Sequence, residues 1–234
     1  MNKSIAIITA RGGSKRIPRK NIKNFLGKPI ITYSISAALD AGCFDEVMVS
    51  TDDQEIAEVS ERCGAKVPFL RSEINSDDFA TTADVLMEVL ADYKNRSIEF
   101  VHACCIYPTA PFITAEKLKN GYCVMLRENA DSVFQVVRYS TPIQRALKID
   151  GGFLSMIQPE NLKIRSQDLM PAYHDSGQFY WFNVARFLAS SRILMEHTVP
   201  IEVSDLEVQD IDCEEDWKVA EMKYRLLEAL SSAR

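Results

Sequence analysis

The chain has 234 residues, of which 47% are hydrophobic and 26% are charged, a composition ordinary for one soluble α/β domain. It contains no apolar run of about 18 residues and no signal-peptide pattern, so we expect a cytoplasmic protein that does not cross a membrane. The six cysteines form no CxxC pair and share no metal-ligand spacing with the three histidines. We therefore expect reduced thiols and no zinc site.

The net charge of −6 is unevenly distributed along the chain. Residues 11–28 contain seven basic side chains and no acidic ones, so the rest of the chain carries 20 basic against 33 acidic residues. A compact basic segment in an acidic protein suits a small polyanion, whereas nucleic acid needs an extended basic face. We expect a small anionic ligand and no nucleic-acid partner.

The first half of the chain alternates predicted strands with predicted helices. Apolar runs predict strands at residues 4–9, 46–51, 98–106 and 131–138. Apolar residues at helical spacing, with capping residues at the ends, predict helices that begin at Pro29, Asp53, Thr81 and Thr114. This βαβ repetition predicts a doubly wound, mostly parallel, Rossmann-like α/β sheet, in which ligands bind beyond the carboxyl ends of the strands.

Residues 139–178 interrupt the alternation. Short alternating segments, three prolines and a Gly-Gly pair predict a small insertion arm with a hairpin, on a single domain that spans residues 1–234. Because such an arm often packs on a second subunit, we expect a homodimer. A lid over the same subunit is the alternative interpretation.

Beyond residue 178 the strand pattern returns. Strands are predicted at residues 178–184, near 199–203 and near 206–211, with a short helix after the first of them. Asp212 and Glu215 have the spacing of a capping box, which predicts that the last helix begins at Asp212.

The strongest chemical signal follows the first strand, in the segment ARGGSKRIPRKN at residues 10–21. Its two glycines allow a tight turn that aims backbone N–H groups at an anion, and Ser14 adds a hydroxyl. Arg11 and Lys20 can bracket a triphosphate and neutralise charge that develops during phosphoryl transfer. The segment is neither a Walker loop nor a dinucleotide fingerprint, because both of those spacings are absent.

Two carboxylates stand near the end of the chain, in the sequence Gln209-Asp210-Ile211-Asp212. Alternation along a predicted strand places Asp210 and Asp212 on one side, where two oxygens can hold one Mg²⁺ with its retained waters. Asp212 can also be explained as the cap of the last helix, whereas Asp210 has no such explanation. We expect a divalent metal site, with Mg²⁺ as the cofactor.

The segment at residues 10–21 resembles the signature of the CMP-nonulosonate synthetases, a family of sugar-activating cytidylyltransferases. The resemblance extends from Ile5 to about Ala220. It implies that Arg11 and Lys20 contact the phosphates of CTP and that Asn21 reads the cytosine. The nucleotide-binding residues that it implies are Arg11, Gly12, Gly13, Ser14, Lys15, Lys20, Asn21, Arg71 and Thr82.

Two weaker motifs fit the same family. Ser50-Thr51-Asp52-Asp53 resembles its S-T-D-D element, although either aspartate could simply cap the following helix. In the family an arginine at the position of Arg71 reaches the nucleotide, and a hydroxyl near Thr82 touches the base. Thr82 also suits a helix cap.

Two motifs bear on the sugar. Where the sialic acid branch of the family has Gln-Pro-Thr-Ser-Pro, this chain has Tyr107-Pro108-Thr109-Ala110-Pro111, and it resembles the pseudaminic acid branch. Residues 175–181, DSGQFYW, resemble a stretch typical of that branch, although several of them could instead be strand core. The sugar-binding residues implied by the resemblance are Tyr107, Thr109, His174, Asp175, Gln178 and Tyr180.

The resemblance implies transfer of CMP from CTP to a nine-carbon nonulosonic acid, most specifically pseudaminic acid, for glycosylation of surface structures such as flagella. Its catalytic residues would be Arg11, Lys20, Asp210 and Asp212, the last two as metal ligands. The alternatives are a CMP-sialic acid or CMP-legionaminic acid synthetase, a 3-deoxy-manno-octulosonate cytidylyltransferase, and a non-catalytic nucleotide sensor on the same fold.

Overall fold

The computed structural model describes residues 3–232. Within them the helices are α1 Ile31–Asp40, α2 Gln54–Arg62, α3 Thr82–Asn95, α4 Ala115–Glu128, α5 Val184–Ser190 and α6 Glu214–Ser232. The strands are β1 Ser4–Thr9, β2 Asn24–Phe25, β3 Lys28–Pro29, β4 Glu46–Ser50, β5 His102–Ile106, β6 Ser132–Arg138, β7 Leu147–Asp150, β8 Phe153–Met156, β9 Tyr173–Asn183 and β10 Thr198–Val203.

Six of these strands form the central sheet, in the order β10-β6-β9-β5-β1-β4. All of its neighbouring pairs are parallel except those made by β9, which runs antiparallel to both β5 and β6. Helices cover both faces, α1 and α4 on one side and α3 and α5 on the other. The predicted mostly parallel α/β sheet is therefore confirmed.

The inner strands and helices follow directly from their apolar patterns. In β1, Ala6 and Ile8 pack toward α1 and α4, whereas Ile5 and Ile7 pack toward α3, as expected for a strand that is covered on both faces. In α3 the buried residues are the face predicted from the sequence: Val85, Leu86, Val89, Leu90 and Tyr93. Thr81 caps this helix through a full capping box with Asp84.

Two predicted boundaries in the first half move by a few residues. Helix α1 begins at Ile31 rather than at Pro29, because Pro29 pairs with Asn24 in the short β2–β3 ladder. Strand β5 begins at His102 rather than at residue 98, because the N–H of Ile98 still donates to the carbonyl of Tyr93 at the end of α3.

The strand predicted near residues 206–211 is wrong. Asp205–Glu207 is a 3₁₀ helix, capped by the hydroxyl of Ser204, and the chain after it pairs with no strand. Lys223 of α6 donates to the carbonyl oxygens of Asp205 and Val208, at 2.8 Å each. These carbonyls are satisfied by a side chain, so the segment needs no strand partner.

The predicted capping box of the last helix is also wrong. Helix α6 begins at Glu214. The N–H groups of Asp212 and Cys213, just before the helix, donate to the carboxylate of Asp216 at 2.9 Å each. Asp212 therefore keeps its own carboxylate free for other contacts. The apolar face of α6 still packs as expected, with Trp217 and Ala220 buried.

A long segment leaves the sheet between β6 and β9. Because β9 begins at Tyr173, this segment covers residues 139–172 rather than 139–178. It contains the β7–β8 hairpin, whose turn residues Gly151 and Gly152 have φ of +55° and +86°, a geometry that favours glycine. We call residues 139–172 the arm.

None of the helices within residues 3–232 is both long enough and apolar enough to cross a membrane.

Candidate active site

A cavity of about 300 Å³ opens at the carboxyl ends of β1 and β5, where a doubly wound sheet is expected to bind its ligand. Thr9 is the last residue of β1, and Tyr107 to Thr109 follow β5. Of the residues predicted for the site, those that line the cavity are Arg11, Ser14, Lys15, Lys20, Asn21, Arg71, Thr82, Tyr107, Thr109 and Asp212.

The glycines of the loop after β1 act differently from the prediction. Neither Gly12 nor Gly13 has a positive φ, so the loop does not require glycine for its turn. Instead, a Cβ atom on Gly12 would lie 2.8 Å from Oδ2 of Asp53, whereas a Cβ atom on Gly13 would meet open space. The N–H of Gly12 donates to the carboxylate of Asp52 at 2.8 Å, which fixes the loop against the end of β4.

Both aspartates of the Ser50-Thr51-Asp52-Asp53 motif are therefore structural. Asp53 caps α2 by accepting from the N–H of Ile56, and its carboxylate also binds Arg19. The hydrogen bond from Arg19 lowers the pKa of Asp53. Arg19 has φ of +55° and points away from the cavity toward α2, so the basic loop turns outward at this residue.

Basic side chains line two walls of the cavity. At one wall Nη1 of Arg11 donates to the carbonyl of Asp77 and to the carboxylate of Asp78, and Lys15 pairs with the same carboxylate. At the other wall Nζ of Lys20 donates to the carbonyl of Ile211 at 2.7 Å. Four cationic groups that face one small cavity suit a polyanion, the fourth being Arg16, described below.

Arg71 supplies a further, buried cation to the cavity. It is 8% exposed, and its guanidinium donates to the carbonyl of Ser50 at 2.5 Å and to the hydroxyl of the same residue at 3.0 Å. Burial lowers its pKa from the ordinary value. No carboxylate within residues 3–232 forms a salt bridge with it, so a bound anion would relieve the cost of its burial.

Two uncharged polar residues, Asn21 and Thr82, also line the cavity. The amide nitrogen of Asn21 donates to the carbonyl of Arg11 at 2.8 Å, and among the described residues nothing donates to its amide oxygen. The hydroxyl of Thr82, at the start of α3, lies 3.2 Å from the hydroxyl of Tyr107. Asn21 therefore presents an acceptor, and Thr82 links the helix to the residue that follows β5.

Of the residues predicted on β9, none lines the cavity. Tyr180 is buried behind Tyr107, with ring centroids 5.4 Å apart, and its hydroxyl donates to the carboxylate of Asp175 at 2.8 Å. His174 packs on Tyr139 at the base of the arm, and its Nδ1 lies 2.9 Å from the carbonyl of Asp175. The side chain of Gln178 is buried and donates to the carbonyl of Glu207.

The acidic pair lies beside the second wall. Asp212 lines the cavity, and its carboxylate accepts from Arg16 at 2.7 Å and lies 4.0 Å from Nζ of Lys20. Asp210 is not on a strand, so the predicted alternation does not explain the pairing. Burial, followed by the charge of Asp212, raises the pKa of Asp210, which stands two residues before Asp212 and does not itself line the cavity.

Sequence reasoning missed several residues that line the cavity, among them Arg16 and Asp78. Arg16 contacts Asp212 across 196 positions of the chain, and Asp78 contacts Arg11 across 67. Arg16 stood within the basic segment, which was the one available signal. Nothing local in the sequence marked Asp78 as a partner of that segment.

A sequence profile of the family described as "Cytidylyltransferase" matches residues 5–189, which carry most of this geometry. The chain belongs to the cytidylyltransferase family. A pseudaminic acid cytidylyltransferase of Campylobacter jejuni is 40% identical over 96% of this chain and 97% of its own length. A CMP-N,N'-diacetyllegionaminic acid synthase of Legionella pneumophila is 31% identical over 95% of this chain and 96% of its own.

The fold of this cytidylyltransferase also occurs in solved structures. A CMP:2-keto-3-deoxy-manno-octonic acid synthetase in complex with CTP matches with a TM-score of 0.70, over 97% of this chain and 100% of the other, at 16% sequence identity. At such low identity, the match supports a shared fold and nothing more specific. The chain is a CTP-dependent nucleotidyltransferase by its family, and enzymes of this family generally use a divalent metal.

The cytidylyltransferase loop predicts a contrast between its two glycines. Gly12→Ala should lower the free energy of unfolding by about 1–3 kcal/mol, because its Cβ would collide with Asp53, which is held in place by Arg19 and by α2. Gly13→Ala, which meets open space, is the matched control and should be nearly neutral. Urea denaturation of both variants measures the difference; equal unfolding free energies would contradict the steric account.

Proposed function

We propose that this cytidylyltransferase activates pseudaminic acid with CTP and releases CMP-pseudaminic acid and pyrophosphate. The observation that carries the proposal is 40% identity over nearly the full length to the Campylobacter jejuni pseudaminic acid cytidylyltransferase. The Legionella pneumophila legionaminic acid relative is more distant, at 31%. Tyr107, which faces the cavity, agrees with this choice, because the sialic acid branch has glutamine at this place.

The cationic walls of the cavity suit the triphosphate. Arg11 and Lys15 approach from one wall and Lys20 from the other, while Ser14 adds a hydroxyl between them. Burial lowers the pKa of Lys20, with desolvation outweighing the attraction of Asp212 and Asp210, so a nearby phosphate would favour its charged form. We assign Arg11 and Lys20 to the charge that develops on the phosphates during transfer.

The side of the cavity at Asn21 suits the base. Cytosine presents an exocyclic amino group, which is a donor. The amide oxygen of Asn21, to which no described residue donates, is the acceptor that such a group needs. Arg71 and Thr82 complete this part of the nucleotide site, the first as a buried cation and the second through its hydroxyl.

We assign the sugar to the side of the cavity formed by Tyr107 and Thr109. Tyr180 and Asp175 support this side from behind, because the ring of Tyr180 packs on Tyr107 and its hydroxyl binds Asp175. His174 and Gln178 make their contacts elsewhere, with Tyr139 and with the carbonyl of Glu207. The residues that we propose to contact the sugar directly are therefore fewer than the six that the family resemblance implies.

Asp210 and Asp212 fit a magnesium ion. They form a pair rather than a cluster of three or more metal-binding side chains, and no such cluster occurs within residues 3–232. Mg²⁺ commonly uses one or two carboxylates together with phosphate oxygens and water. Burial and then the charge of Asp212 raise the pKa of Asp210, and a bound cation would offset both effects. When bound, the ion would polarise the α-phosphate and lower the pKa of the attacking hydroxyl.

The chemistry requires no covalent enzyme intermediate. The anomeric hydroxyl of the sugar attacks the α-phosphorus, a new P–O bond forms, and the bond to pyrophosphate breaks. The residues of this chain contribute position and charge: Arg11 and Lys20 hold the departing phosphates, and Tyr107 orients the sugar.

Pyrophosphate release tests the proposal. The enzyme is incubated with CTP and Mg²⁺ in parallel reactions, each of which contains pseudaminic, N,N'-diacetyllegionaminic or N-acetylneuraminic acid. We expect the largest kcat/KM with pseudaminic acid. A larger value with another of these sugars would reject the sugar assignment and keep the family; no release with any of them, in folded protein that binds CTP, would reject the activity proposed.

Removal of one carboxylate tests the metal assignment. Asp210→Asn should lower kcat/KM by at least about 100-fold, because the amide cannot supply the negative charge that holds the ion. Asp205→Asn, an exposed aspartate on the preceding 3₁₀ helix, is the matched control and should keep wild-type turnover. Near-normal activity of Asp210→Asn with an unchanged Mg²⁺ requirement would reject this ligand.

We also propose that the arm packs against a second copy of this chain. Both strands of its hairpin are exposed, and their apolar side chains include Ile149 at 76% and Phe153 at 79% exposure. Ile149 shares one face of the hairpin with Leu154, its partner across the ladder, and Phe153 lies on the other face. Exposed apolar surface of this kind is typical of an interface, and no described part of the same subunit covers it.

The molecular mass in solution tests this interface. Wild-type protein should sediment as a dimer, and Phe153→Glu should shift it toward the monomer, because the charge would be buried in the interface. Phe79→Glu changes an equally exposed phenylalanine outside the arm and should leave the dimer intact. A monomeric wild type, or an unchanged mass for Phe153→Glu, would contradict the proposal.

A further inference from the structure

Residues 72–80, which join the first half of the sheet to α3, are held to that helix at one end and by a local turn at the other. At one end the carboxylate of Glu88 accepts from the N–H and the hydroxyl of Ser72, at 2.7 and 2.8 Å, and from the amide of Asn75. At the other end the carboxylate of Asp77 accepts from the N–H groups of Phe79 and Ala80 within the segment itself, at 2.8 Å each. The contacts of Glu88 thus anchor residues 72–75 to α3, and the local turn at Asp77 shapes the residues that follow.

This segment contacts two of the phosphate-wall cations. One nitrogen of Arg11, Nη1, donates to the carbonyl of Asp77 at 2.8 Å and to Asp78 at 3.0 Å. The other oxygen of Asp78 accepts from Lys15. Neither Nε nor Nη2 of Arg11 donates to any residue of the described chain, so most of the guanidinium remains available to a ligand.

We infer that Asp78 is a positioning residue, which holds Arg11 and Lys15 in the orientation that meets the triphosphate. The inference rests on the proposed role of these two cations in CTP binding. A guanidinium held by Nη1 alone can still offer Nε and Nη2 as a parallel pair of donors, which is the geometry that phosphate oxygens accept best. Asp78 touches the phosphates only through its partners.

The alternative role for Asp78 is that its carboxylate simply repels the triphosphate. A negative charge on the cavity wall disfavours a triphosphate, and its removal would then strengthen CTP binding. Two features favour positioning. One carboxylate lies against two cations, so the local charge stays positive, and long exposed side chains such as Arg11 and Lys15 lose considerable rotamer freedom when a ligand orders them. Asp78 supplies part of that ordering before CTP arrives.

The test is Asp78→Asn, with calorimetric CTP binding and steady-state kinetics measured on the same preparations. We expect the Kd and the KM for CTP to rise roughly three- to tenfold, with a smaller fall in kcat, because Arg11 also acts during transfer, and with the KM for the sugar unchanged. Asp78→Glu, which keeps the charge, should recover part of the affinity. Glu73→Gln is the matched control, because it removes one exposed negative charge from the same segment without a contact to either cation.

The outcomes separate this inference from the function on which it rests. Tighter or unchanged CTP binding by Asp78→Asn, or the same weakening in Glu73→Gln, would overturn it. In an Arg11→Ala background the substitution should have a smaller effect, and a full additive loss would also count against it. If the wild type binds CTP but turns over none of the sugars, weaker CTP binding by Asp78→Asn still supports the positioning role; a wild type that does not bind CTP rejects both.

Discussion

The basic side chains of the loop after β1 repel one another, and the loop is stable only because carboxylates compensate their charge. The geometry of the rest of the site depends on these ion pairs. Carboxylates from distant parts of the chain lie against the loop. The pairs are Arg11 and Lys15 with Asp78, Arg16 with Asp212, Arg19 with Asp53, and Lys23 with Glu214. Exposed ion pairs contribute little individually, but here they fix three segments around one loop and so define the cavity.

Much of the fold follows from local pattern. The apolar face of α3, the capping of α2 and α4, and the doubly buried β1 were readable because neighbours in sequence decide them. The direction of β9 was not readable, since a strand's composition does not say which way it runs. The segment at residues 206–211 alternates like a strand, yet its carbonyls bind Lys223, which is distant in sequence.

The candidate site, like the fold, could be predicted only in part from the sequence. Arg11, Lys15 and Lys20 line the cavity as expected, because the loop directly follows a central strand whose end must face the ligand. The residues of the β9 motif do not line the cavity. They were expected from a family resemblance, and a resemblance of sequence letters does not say which side chains of a strand face a cavity and which pack behind it, as Tyr180 does behind Tyr107. The contacts of Asp78 and Arg16 could be found only in the folded structure, because their partners are distant in sequence.

The reversed strand has one geometric consequence. Because β9 runs against its neighbours, its first residue, Tyr173, lies at the edge of the sheet where β6 ends, and it pairs there with Arg138. The arm thus leaves and re-enters the fold at the same edge of the sheet as the cavity. Had β9 been parallel, the arm would still have left from the end of β6, but the chain would have had to cross to the opposite edge, one strand length away, before it re-entered the sheet. A single inverted strand thereby lets the chain grow a large appendage beside its binding site without disturbing any of the parallel crossovers.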